Sequence, residues 1–189
     1  MKKLIVILCL LSFGQNIFAG SLMPYQKGDW ESILKKVAGE KVVIHFWGVT
    51  CAPCVKEMPL WGKFTHENKN AKIIYIQVDD VSMQMVEQML QKANLSKGEN
   101  FYLTTTFDEY LRYEIDPQWR GETPMTIWID RDGRRTRKIG TTNFLELKRW
   151  FQNNNLYSLM IIVDYCFIAI LKFRRILHTN SQISDKTIF

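Results

Sequence analysis

The chain has 189 residues, 47% of them apolar and 23% charged, with a formal charge of +6. That length suits one domain of ordinary size with terminal extensions, and the composition is normal for a packed core. Lys and Arg are scattered among acids, without the dense basic stripe of a nucleic-acid binder. The one basic run, Arg131, Arg134, Arg135, Arg137 and Lys138, surrounds the turn dipeptide Asp132–Gly133 and reads as a solvated hairpin.

At the N-terminus, Met1, Lys2 and Lys3 precede the apolar LIVILCLLSF, and Ala19 supplies a small residue for cleavage. Residues 1–19 therefore read as an export signal, too short in its apolar part to span a bilayer comfortably, with uncleaved anchoring left open. Cys9 leaves with the signal, and Leu8 before it is not the small residue of a lipoprotein site. Export places the domain, taken as residues 22–154, outside the cytosol, in the periplasm or beyond, where disulfides persist.

Residues 22–40 read as a lead-in segment and a short amphipathic helix with Asp29 as its cap. KVVIHFW, 41–47, is a buried strand by its β-branched, apolar run. A helix follows from Cys51 to about Asn68, with Val55, Met58 and Leu60 expected inward and Pro59 expected to kink it. Residues 71–80 form a second buried strand. Residues 82–94 form a helix capped by Ser82, with Met85, Met89 and Leu90 facing the core. Its methionines could suggest a soft metal site, but at helical spacing they read as core filler. NFYLTTT is a short strand, 107–115 a helix, 123–130 and 134–140 a strand pair across Asp132–Gly133, and 143–152 a closing helix capped by Asn143. Strands alternating with helices imply an α/β fold, a mainly parallel sheet covered on both faces.

Residues 155–189 do not fit this plan. LYSLMIIVDYCFIAIL is nearly all apolar, is short for a span and carries Asp164 in its middle; KFRR follows. A membrane helix, an element docked on the domain, and a stretch under no selection all remain open, with the last placed slightly first.

After the signal, Cys51, Cys54 and Cys166 remain, too few for a disulfide scaffold. Cys51 falls at a helix N-terminus, where free N–H groups and the helix dipole favour a thiolate, the reactive form. Cys54 is one turn further, in reach of a mixed disulfide on Cys51. Ala52 and Pro53 shape this turn, and the missing N–H of Pro53 is tolerable in a first helical turn. Zinc would need two more ligands, and neither a second C-x-x-C nor an H-x3–5-H pair is present.

VVIHFWGVTCAPCVKEMP resembles the active-site block of thioredoxin-fold proteins, and most of all that of the TlpA, ResA and DsbE group of exported thiol:disulfide oxidoreductases. The strand ending in Phe46–Trp47, the C-x-P-C, and Glu57 and Pro59 beyond it carry the likeness. Gly121, Thr123 and Pro124 in GETPMTIWID match the group's second signature, and residues 82–105 resemble its central insertion.

The resemblance implies a thioredoxin-like fold, with a central mixed sheet flanked by helices on both faces. It implies Cys51 as the attacking thiol, Cys54 as the resolving one, Pro124 as a cis proline and Thr123 as a backbone partner for substrate. Glu57 would manage protons for Cys54, or else be an exposed helix glutamate. His45 stands where thioredoxin has a buried Asp; it is a proton shuttle or, preferred here, a hydrogen-bonded core residue. Thr50 replaces an aromatic common before the first cysteine, which puts the partner-docking surface in question.

The function implied is reduction of disulfides in exported proteins, with no cofactor beyond the Cys51–Cys54 disulfide. In that group substrates include apocytochrome c, and a membrane thiol reductase regenerates the thiols. The alternatives are an oxidase or isomerase of secreted proteins, and a non-catalytic metal- or partner-binding module on the same fold.

Overall fold

The computed structural model describes residues 22–153. Residues 22–142 fall in one compact unit; 143–153 open a second. The expected signal and the apolar tail lie outside the described residues.

In chain order the first unit contains β1 (Leu22–Tyr25), α1 (Asp29–Lys36), β2 (Val42–Trp47), α2 (Ala52–Glu67) and β3 (Lys72–Gln77). It continues with α3 (Met83–Lys92), β4 (Glu99–Leu103), α4 (Glu109–Ile115), β5 (Met125–Ile129) and β6 (Arg135–Ile139). In the second unit α5 covers 144–153. The Asn143 side chain caps α5 by accepting the Glu146 N–H at 3.1 Å.

The six strands form one sheet in the order β1-β4-β3-β2-β5-β6. β1, β4, β3 and β2 run parallel; β5 is antiparallel to β2, and β6 to β5. β2 is therefore interior and covered on both faces, which its unbroken apolar run requires. Alternation along it divides the core. Val42, Ile44 and Phe46 join Ile74, Ile76, Met125, Ile127 and Ile129 in a cluster with Trp30 and Ile33 of α1 and Leu111 and Ile115 of α4. His45, on the opposite face, meets Trp61 of α2 with ring centroids 4.6 Å apart.

Several local expectations are corrected. The lead-in segment contains β1, which pairs with β4 across a long stretch of sequence. Asp29 is not the cap of α1. Gly28 holds that position in a left-handed conformation, φ 92°. The Gly28 N–H is taken up by the Glu114 carboxylate of α4, both oxygens at 3.0 Å. Asp29 instead accepts the Gln26 N–H at 2.8 Å.

Ser82 stands at the N-cap of α3 but makes no side-chain cap hydrogen bond. The buried stripe of α3 is Val86 and Leu90, while Met83 and Met85 are exposed and Met89 is half-buried, so these methionines are not core filler. Both stripes are apolar at i, i+4 spacing, and periodicity cannot choose between them. On α2, Leu60 is exposed, and the buried side is Cys54, Glu57, Met58, Trp61, Gly62 and Phe64. A carboxylate in that stripe is what hides it from a hydropathy reading.

Candidate active site

Three strand ends meet at one end of the sheet because of its register. Trp47, the last residue of β2, pairs with Gln77, the last of β3, and the Val78 N–H donates to the Trp47 carbonyl at 2.9 Å. Phe46 pairs with Met125, the first residue of antiparallel β5, so Pro124 lies level with Trp47. The cysteine turn, Asp79 and the Thr123–Pro124 segment therefore gather at the C-terminal ends of the parallel strands. Open α/β sheets place their sites there, because each chain leaves its strand into a loop.

Cys51 is the N-cap of α2 and is partly exposed. Cys54 is fully buried. The two are joined as a disulfide, with Cα atoms 5.2 Å apart. The Cys54 N–H donates to Cys51 Sγ at 3.3 Å, so the first sulfur sits on one of the free donors of the helix end. Ala52 and Pro53 occupy the first two helical positions and face solvent. The Thr123–Pro124 peptide is cis, with Pro124 buried and Thr123 half-buried. The Pro124 carbonyl accepts the Gly140 N–H at 2.8 Å.

Glu57 is not an exposed helix glutamate. It is 2% exposed, one turn beyond Cys54, and its Oε1 accepts the Thr142 N–H at 2.6 Å. Burial pushes its carboxyl up from the ordinary value, against hydrogen bonds from Thr142 and Trp61 that favour the charged form. The stretch from Gly140 to Thr142 thus ties the Pro124 segment to the helix that carries the cysteines.

His45 is a core residue, fully buried between Trp61 and Tyr75. Neither ring nitrogen has a hydrogen-bond partner, which corrects the expectation of a hydrogen-bonded core histidine. Burial drives its pKa down to about 3, so it stays neutral across the physiological range. Trp47, 1% exposed, closes the end of β2 beneath the cysteine turn.

Sequence reasoning missed Asp79. Its Oδ2 accepts the Thr50 N–H at 2.7 Å and the Thr50 hydroxyl at 2.8 Å, and the Gln77 amide donates to its Oδ1. Burial pushes this carboxyl up, but donors from Thr50, Gln77 and the Val49 backbone outweigh it and hold Asp79 below the ordinary range. Thr50 is therefore occupied in fixing the turn before Cys51. Among the described residues no group of three or more His, Cys, Asp or Glu side chains could hold a metal ion.

No family model matches the chain. The chain is 28% identical over 143 residues to sporulation thiol-disulfide oxidoreductase A of Bacillus subtilis, covering 68% of this chain and 76% of that protein. It is 28% identical over 108 residues to thiol-disulfide oxidoreductase ResA of Bacillus cereus, covering 56% of this chain and 58% of ResA, so it spans little more than half of that relative. Among solved structures, a DsbF homologue from Corynebacterium diphtheriae superposes with a TM-score of 0.54 at 18% identity, over 64% of this chain and 75% of that one. A thioredoxin-family thiol:disulfide interchange protein from Chlorobium tepidum gives 0.51 at 16% identity, over 61% and 80%.

The fold is thioredoxin-like, a mixed sheet between helices. With its cysteine pair and these relatives, the chain is a thiol:disulfide oxidoreductase similar to the TlpA, ResA and DsbE group.

Proposed function

We propose that the chain reduces disulfides in exported proteins, with Cys51 attacking and Cys54 resolving. The observation that carries the two roles in this reading is the asymmetry of the pair. Cys51 is partly exposed at the mouth of α2, and Cys54 is wholly buried one turn behind it. A substrate disulfide can reach the first sulfur and not the second.

The reaction starts from the dithiol. The Cys51 thiolate attacks one sulfur of the substrate disulfide, an S–S bond forms between them, and the other substrate sulfur leaves as a thiolate. The Cys54 thiolate then attacks Cys51 Sγ and expels the second substrate thiolate. Two electrons pass to the substrate, and the protein is left with the Cys51–Cys54 disulfide seen in the structure. The helix N-terminus favours the Cys51 thiolate in the first step. Glu57, buried on the Cys54 side of α2 with a raised pKa, is suited to accept the Cys54 proton in the second.

Thr123, beside Pro124, is the proposed backbone partner of the substrate chain. The direction of electron flow rests on Ala52–Pro53, which is similar to the dipeptide of reducing members of the group. Strong oxidants often carry His there, which lowers the first thiol's pKa. Apocytochrome c with its haem-site cysteines is the proposed substrate class, and a membrane thiol reductase the proposed electron donor.

The test is insulin-disulfide reduction by the full chain. Cys51→Ser is expected to abolish it. Cys54→Ser is expected to accumulate a mixed disulfide on Cys51, detectable by mass. Activity retained in Cys51→Ser would overturn the reading.

A further inference from the structure

We propose that Asp79 is a positioning residue of thiol exchange: it holds the turn that presents Cys51 and sets a fixed negative charge beside that thiol, which governs the pH at which Cys51 ionises. This rests on the reading of Cys51 as the attacking thiol. Gly48, Val49 and Thr50 leave the interior strand β2 and must reverse into α2 without a helical or sheet partner of their own. One carboxylate instead takes the Thr50 N–H at 2.7 Å, the Thr50 hydroxyl at 2.8 Å and a donor from the Val49 backbone. Gln77, at the end of β3, donates to the other oxygen and so fixes the carboxylate itself.

The packing is close. A Cβ on Gly48 would come to 3.0 Å from both Cγ and Oδ2 of Asp79, so glycine is what lets the carboxylate press against the turn. These donors stabilise the charged form, and an anion stands at this point of the site.

Cys51 is the residue directly after Thr50, whose N–H and hydroxyl the Asp79 carboxylate holds. An anion fixed on the neighbouring residue opposes formation of a second one, so Asp79 raises the ionisation pH of Cys51 against the pull of the helix end. A carboxylate here trades some thiol acidity for a turn held in place. Other titratable groups on the surrounding elements are the Cys54 thiol of the reduced chain, Lys56 and Glu57 on α2, Asp80 beside Asp79, His45 on β2, and Glu122 ahead of Pro124. All are unchanged in an Asp79 variant, so a comparison with the parent isolates Asp79.

The test uses the full reduced chain. Iodoacetamide alkylation at Cys51 is followed by peptide mass against pH, and circular dichroism reports the fold. In Asp79→Asn, which keeps an oxygen for the Thr50 N–H but loses the charge, the midpoint is expected to fall by about half a pH unit with the spectrum unchanged. An unchanged or raised midpoint in the folded variant would overturn the proposal. If Asp79→Asn does not accumulate folded, Asp79→Ser carries the same expectation and the same overturning result. Insulin reduction by the parent chain is measured alongside. An active parent with an unmoved midpoint sinks only the role of Asp79; a parent that fails to reduce insulin sinks the reductant reading itself.

Discussion

At the scale of single residues, burial separates the two groups expected to handle protons. His45 has no partner for either ring nitrogen, and charging it in place would strand a cation in the core. Its pKa is about 3 when folded, against 6.5 for an ordinary imidazole. The unfolded chain therefore binds the extra proton between those values, and stability is lost as pH falls through that window. The loss attributable to His45 is about 1.4 kcal/mol per pH unit. Urea melts of His45→Asn and the parent between pH 6.5 and pH 4 are expected to show a shallower loss in the variant; parallel lines would refute the neutral, buried histidine. Glu57 acts in the opposite sense, since its folded pKa is raised and its contribution falls as pH rises above the carboxylate range. It is common to both proteins and drops out of the comparison. His45 and Glu57 were legible as candidates, but their surroundings were not. Whether a helix glutamate is buried depends on Thr142, 85 positions away.

At the scale of elements, α2 shows what the packing demands. Gly62 lies inside a helix, where glycine costs about 1 kcal/mol relative to alanine. A Cβ there would collide with the Ala93 carbonyl oxygen at the end of α3. Close backbone approach thus explains a residue that propensity disfavours. Gly62→Ala is expected to destabilise the fold by about 1–3 kcal/mol despite the gain in propensity, read as a lowered urea midpoint; a stabilised variant would contradict this packing. Strands β2 to β6 and helices α2 to α4 were legible because alternation, apolar runs and turn residues all agree there. β1 was not, because a four-residue edge strand carries little pattern and is specified by its pairing with β4. The start of α1 was misread for a similar reason: its N–H groups go to Glu114 of α4, a partner remote in sequence.

At the scale of the whole molecule, the site is a consequence of strand order. Crossing from parallel β3 to antiparallel β5 on either side of β2 brings Asp79 and Pro124 to the end where α2 begins. The cysteine pair and Pro124 were legible as motifs. Asp79 was not, because an Asp after a strand is common and nothing local ties it to Thr50. The direction of electron flow proposed above, from this arrangement to substrate disulfides, is a property of the whole molecule. It is tested most directly by the reduction potential of the Cys51–Cys54 couple, measured by thiol trapping of the folded chain in graded redox buffers. A reductant requires a value near or below about −270 mV, in the range of thioredoxin, and a value near about −120 mV would overturn the proposed direction by making the chain an oxidant.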